Sequence, residues 1–261
     1  MSAPDPDEIY DRAKEEGARR LTMPPLEQAS TGFIAGVTIV FGIVALAMAE
    51  ELIAPGFGTG PGKLAGALAF GTGVVFLVIG RSELFTENFF DPVAAAIDQQ
   101  GPSVWFRLGR LWALVLVLNL VGGTVMAAVF TVEGALPAGA HEVLVSVAED
   151  IAAKSGWATF ARAVAAGTLL TLLSYLLHAA DSATARIVLA YLVGVFLALG
   201  PFDHVVVSGL HLLFGIWLGA AVTVGDLGQN FVLAVAGNLV GGLLLMTLTH
   251  TVQAKSSPGS D

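Results

Sequence analysis

A run of about 20 apolar residues is long enough to cross the hydrocarbon core of a bilayer as a helix. This chain has six such runs, at 32–54, 64–98, 108–130, 159–179, 184–219 and 226–250. Lipid offers no partner to backbone N–H and C=O groups, so runs of this kind fold as helices whose hydrogen bonds close within each segment. The second and fifth runs are too long for one plain span. Each carries a polar interruption, Arg81 to Asn88 with Asp91 in the second and Pro201 to His204 in the fifth. Both read as broken helices, giving an all-α integral membrane fold of six transmembrane helices.

Composition agrees and excludes other classes. Hydrophobic residues make up 55% of the chain and charged residues 13%, too apolar a balance for an ordinary soluble domain. The 31 glycines recur within the apolar runs, where small residues let helix backbones approach in lipid. With no cysteine, thiolate nucleophiles and cysteine-ligated metals are excluded. A net charge of −9 with only 12 Lys and Arg excludes nucleic-acid binding. No nucleophile and base stand together and no His or carboxylate pair recurs at ligand spacing, so no enzyme, cofactor or metal site is expected. Residues 1–30 show no secretory pattern and form an N-terminal segment in which 4–21 is an interfacial amphipathic helix or a polar tail. A pore domain follows over 31–251, then a disordered tail over 252–261. Arg12, Lys14, Arg19, Arg20, Arg107, Arg110, Arg186 and Lys255 fall on the side of the N-terminus, against Lys63, Lys154 and Arg162 on the other. The positive-inside rule then puts both termini of this multi-pass chain in the cytoplasm.

Internal repetition organises the pore domain. Asn119-Leu120-Val121-Gly122-Gly123 returns as Asn238-Leu239-Val240-Gly241-Gly242 at an offset of 119, and Phe76-Leu77-Val78-Ile79-Gly80 as Phe196-Leu197-Ala198-Leu199-Gly200 at an offset of 120. Three spans per half force the second copy to enter the membrane from the opposite side. The repeats, about 32–130 and 159–250, are therefore inverted, and their two breaks meet at mid-membrane. Half-helix N-termini there would present free N–H groups to an anion.

Glu83-Leu84-Phe85-Thr86-Glu87-Asn88 is similar to the Glu-Leu-Phe-Thr-Gly-Asn loop that breaks the second helix of formate/nitrite transporters. Phe202-Asp203-His204 resembles that family's Phe-Glu-His in the fifth helix, and Asn230 with Gly237 to Gly242 its sixth-helix pattern. The resemblance covers residues 25 to 250. It implies an aquaporin-like fold, a homopentamer with one pore per protomer, and passage of small monovalent weak-acid anions. By that resemblance His204 sits in mid-pore, exchanging protons with the solute, and Thr86 is its hydrogen-bond partner. Leu84, Phe85, Phe90 and Phe202 are candidate constrictions, Asn119 and Asn238 candidate pore residues, and Lys154 either a basic vestibule residue or an exposed loop lysine. His211 is expected to be a packing residue, His178 and His250 to snorkel at span ends, and His141 to lie in a loop.

The chain departs from the pattern at Glu87, where the family has glycine, and at Ser208, where it has asparagine. Intramembrane acids are costly and seldom face lipid, so Glu83, Glu87, Asp91 and Asp203 are candidate selectivity residues. Either Glu87 is clamped by Arg81, or the acids attract cations to the same scaffold. An anion pore and a cation channel thus both remain open.

Overall fold

The computed structural model describes residues 4–256, which are helical almost throughout and contain no strand. Helix α1 (Pro6–Thr22) is followed by α2 (Pro25–Phe57), α3 (Thr59–Ile79), a 3-10 turn (Phe85–Asn88), α4 (Asp91–Gln99) and α5 (Pro102–Phe130). Then come α6 (Ala138–Ala152), α7 (Gly156–Ala179), α8 (Ala183–Leu199), α9 (Val205–Leu218), α10 (Val224–Leu239), a π-helical stretch (Val240–Thr247) and α11 (Leu248–Lys255). Among the described residues five helical segments are long and apolar enough to cross a membrane: α2, α3, α5, α7 and the continuous run from Val224 to Lys255. Of the six spans expected, the remaining one corresponds to α8 and α9 together, each too short alone.

The two halves are built alike. In the first, α2 packs on α3 and α5, and a break separates α3 from α4; in the second, α7 packs on α10 and the π-helical stretch, and a break separates α8 from α9. Glycines set how closely these helices approach. A Cβ on Gly122 would collide with the carbonyl of Phe33, and one on Gly241 with the carbonyl of Val164. Likewise Gly36 lies against the backbone of Asn119 and Gly167 against that of Asn238. Matching contacts on matching helices are what a duplicated unit predicts, and van der Waals approach through small residues is one of the forces that hold helices together in lipid.

Three elements differ from expectation. α1 does not simply lie at an interface. One face, Ile9, Tyr10, Ala13, Gly17 and Leu21, is buried, with the first three packed against Phe90, Ala94, Tyr175 and Ala254 of the helical body. The chain from 252 to Lys255 is helical rather than disordered, because Ala254 is buried in that same cluster; the tail beyond residue 256 lies outside the described residues. α6 fills what reads as a loop. Ala140, Leu144 and Ala148 recur at helical spacing and are fully buried, and α6 packs across α9 and α2. His141 therefore sits in the first turn of α6.

Candidate functional site

Each break leaves backbone groups without helical partners, and one asparagine serves each. Asn119 donates from Nδ2 to the carbonyls of Gly32 (2.8 Å) and Glu83 (3.0 Å) and accepts from the Phe85 N–H (2.9 Å). Asn238 donates to Ala163 (2.8 Å) and Asp203 (3.0 Å) and accepts from the Val205 N–H (3.0 Å). Both side chains are fully buried. Their polar atoms are thus occupied by the protein's own backbone, which corrects the expectation that they face a solute. The same register makes Glu83 the counterpart of Asp203, and Leu84 that of His204.

Caps also close the half-helix N-termini. The Glu87 carboxylate accepts from the Leu84 N–H (2.9 Å), and His204 Nδ1 faces the Val207 N–H at 3.4 Å. The free N–H groups expected to await an anion there are largely engaged by side chains, since a buried donor left unpaired costs about 1–3 kcal/mol.

The breaks meet where Thr86 Oγ1 and His204 Nε2 stand 2.8 Å apart, both residues buried. A cavity lies on either side. The first, of about 480 Å³, is lined by α1 and the first break and includes Val78; the second, of about 230 Å³, is lined by Lys63, Lys154, Asp203, His204, Ser208 and His211. Val78 of the first and Lys63 of the second sit fifteen residues, about 22 Å, apart on α3, so the two cavities extend toward opposite ends of that helix.

In the first cavity five arginines face five carboxylates. Arg20 Nε is 3.3 Å from Glu83 and its Nη2 is 3.4 Å from Asp91, while His178 Nε2 approaches Asp91 at 2.9 Å. Burial alone would lower the Arg20 pKa, but Glu83 and Asp91 outweigh it and raise it, so the guanidinium stays charged. Glu16 shows the reverse balance: burial favours its neutral form, yet hydrogen bonding to Arg19 and the charge of Arg20 hold its pKa down to about 2. α1 is thus fastened over this cavity by ion pairs as well as by its apolar face. The clamp expected from Arg81 is not formed. Arg81 turns with φ 52° at an exposed position, and the cations that reach the acids come from Arg19 and Arg20. His178 turns its Nε2 to the Asp91 carboxylate rather than snorkelling, and His250 stacks on Tyr175 at 3.8 Å.

In the second cavity Lys154 pairs with Asp203, and Ser208 Oγ donates to the same Asp203 oxygen at 3.3 Å. Lys154 is therefore no exposed loop lysine, its side chain being 11% exposed. Burial lowers its pKa, an effect that Asp203 opposes. Of the expected constrictions, Phe202 lines this cavity and Leu84 is buried beside Thr86 in the break. Phe90 is displaced to the cluster with Tyr10, Tyr175 and His250, and Phe85 packs edge-on against Phe89 and Trp112. Neither lines either of these two cavities, because both rings turn into aromatic packing that anchors the loop. The residues missed from sequence are Arg19, Arg20 and Glu16; the only signal was the adjacent Arg19-Arg20 pair in an amphipathic stretch.

The model of the formate/nitrite transporter family matches residues 7–252. The formate channel FocA of Escherichia coli (strain K12) is 26% identical over 267 aligned residues, covering 92% of this chain and 90% of that protein. Among solved structures, an FNT family ion channel superimposes with a TM-score of 0.81 over 96% of this chain and 99% of its own, at 19% identity. A pentameric formate channel with formate bound does so with a TM-score of 0.71, covering 87% of this chain and 96% of its own, also at 19% identity.

Proposed function

Because the chain belongs to the formate/nitrite transporter family, and is accordingly a multi-pass membrane transport protein rather than an enzyme, we propose that it carries small monovalent weak acids such as formate through a pore within each protomer. The observation that carries this reading is the buried Thr86–His204 contact, set between two cavities that extend toward opposite ends of α3. A bare anion crossing that point would lose its hydration to a nearly dry, apolar passage, at a cost of several kcal/mol. Taking up a proton removes the charge, and the reading assigns that exchange to the His204 imidazole, supported by its hydrogen bond to Thr86. Nitrite belongs to the same chemical class. Assembly as a homopentamer and cytoplasmic termini complete the reading, the first by likeness to the pentameric neighbour and the second by the distribution of Lys and Arg.

The cation alternative loses its motivation. It rested on uncompensated acids, whereas the first cavity balances five carboxylates with five arginines and the second balances Glu50, Asp150 and Asp203 with Lys63, Lys154 and Arg162. Uptake of labelled formate into proteoliposomes by wild type, Thr86→Val and His204→Phe tests the proposal. Wild type takes up formate, and both variants lose most of it while remaining folded. Equal uptake by all three would refute the role of the contact.

A further inference from the structure

The buried side chains leave two polar atoms of the second cavity without partners. His204 is not among them: Nε2 faces Thr86 and Nδ1 faces the Val207 N–H. The unpartnered atoms are Nδ1 of His211 and Oδ2 of Asp203, in residues 4% and 1% exposed. Both residues line the cavity, with Lys154 and Ser208. His204, Ser208 and His211 stand at i, i+4 and i+7 from the start of α9, hence on one face of that helix. A packing histidine would have its ring nitrogens satisfied or its place taken by an apolar residue, since an unpaired buried polar atom is expensive.

The inverted repeat sharpens this. At the offset of 120 that relates Glu83 to Asp203, the counterpart of His211 is Asp91. Asp91 is paired with Arg20, and His178 Nε2 lies 2.9 Å from its other oxygen. His211 has no such partner among the described residues, and Lys154, which lines the same cavity, is held by Asp203. In the first vestibule Glu83 Oε2 and Asp91 Oδ1 also lack a hydrogen bond, but both carboxylates are ion-paired with Arg20; the His211 ring has neither kind of partner among the described residues.

Building on the weak-acid reading, we infer that the second cavity is a binding subsite for a small monocarboxylic acid, with His211 as its specificity-determining contact. Nδ1 of His211 bonds a ligand oxygen, and Oδ2 of Asp203, which can only accept, takes the acid's O–H. The subsite therefore favours a solute that brings a proton over one that is permanently ionised, and it loads the solute one helical face away from His204. His211 belongs to recognition, and His204 to the crossing itself.

Formate uptake kinetics in proteoliposomes for wild type, His211→Phe and His211→Gln test the inference, with thermal unfolding of each purified protein measured alongside. His211→Phe keeps the ring volume and removes the nitrogens. It should raise the half-saturating formate concentration about tenfold, as one lost hydrogen bond of about 1.4 kcal/mol implies, while the maximal rate stays within about twofold. His211→Gln, which restores a donor, should recover most of the affinity. An unchanged half-saturation in His211→Phe would overturn the inference and leave the two orphaned atoms to water. Equal impairment of both variants with a matching loss of thermal stability would overturn it in favour of a packing role. If wild type itself took up no monocarboxylate, the weak-acid reading would fall, and this inference with it.

Discussion

Asn119 and Asn238 perform one task in opposite halves of the molecule, each bonding the backbone carbonyl and N–H that flank a broken helix: Glu83 and Phe85 for the first, Asp203 and Val205 for the second. Replacing either by Ala orphans three backbone groups in a site closed to water. At about 1–3 kcal/mol for each buried orphan, Asn119→Ala and Asn238→Ala should each lose at least about 2 kcal/mol. Thermal unfolding in detergent should show comparable losses for the two, since the symmetry makes them equivalent. One variant tolerated and the other ruinous would contradict that equivalence.

Gly122 and Gly241 make the second matched pair, each against a carbonyl of the neighbouring long helix. Leu at either position forces α2 from α5, or α7 from the π-helical stretch. Size-exclusion chromatography should show aggregated or missing protein for both, while Gly109→Leu, where a Cβ meets nothing, elutes like wild type.

The repeat and the two breaks were legible because they are written in local residues: a recurring Asn-Leu-Val-Gly-Gly, and acids and a histidine interrupting apolar runs. What those asparagines do was not legible, since a side chain that bonds a loop some 35 residues away looks like any polar residue near a pore. Phe90 was misplaced for a related reason. The resemblance puts it at a constriction beside the break, but its ring is claimed by Tyr10, 80 residues before it, and Tyr175, 85 after it. α6 was hidden by its modest length and mixed polarity, and the partner of the acidic residues by distance, since Arg20 comes from a segment outside the apolar runs.

α1 should lose helical stability to acid in a defined window, because Glu16 pairs with Arg19 and Arg20 of the same helix. The Glu16 pKa is lowered to about 2 from its ordinary 4.5, so its stabilising effect is complete above about pH 4.5 and fades as pH falls toward 2. Hydrogen exchange of the α1 amides, corrected for intrinsic rates, should show that part of the protection falling only below pH 4.5. In Glu16→Gln protection should be weaker at neutral pH and lack this step. A wild-type loss identical to that of the variant would show that Glu16 does not stabilise α1.

Glu87 caps the Leu84 N–H and lies in a cavity whose charges balance. Glu87→Gly should cost about 1 kcal/mol of stability, as lost caps do, and leave formate flux intact or higher. Conductance lost only at low ionic strength would instead mark Glu87 as an attractor of cations.

The central claim is that a weak acid, not a metal cation, crosses at the Thr86–His204 contact. The most direct measurement imposes a formate gradient and, separately, a potassium gradient across proteoliposomes carrying the wild-type protein, and follows internal pH and membrane potential together. The account predicts a pH change driven by the formate gradient, lost in His204→Phe, and no potential set by the potassium gradient. A membrane potential that follows potassium, with no formate-driven pH change, would contradict it.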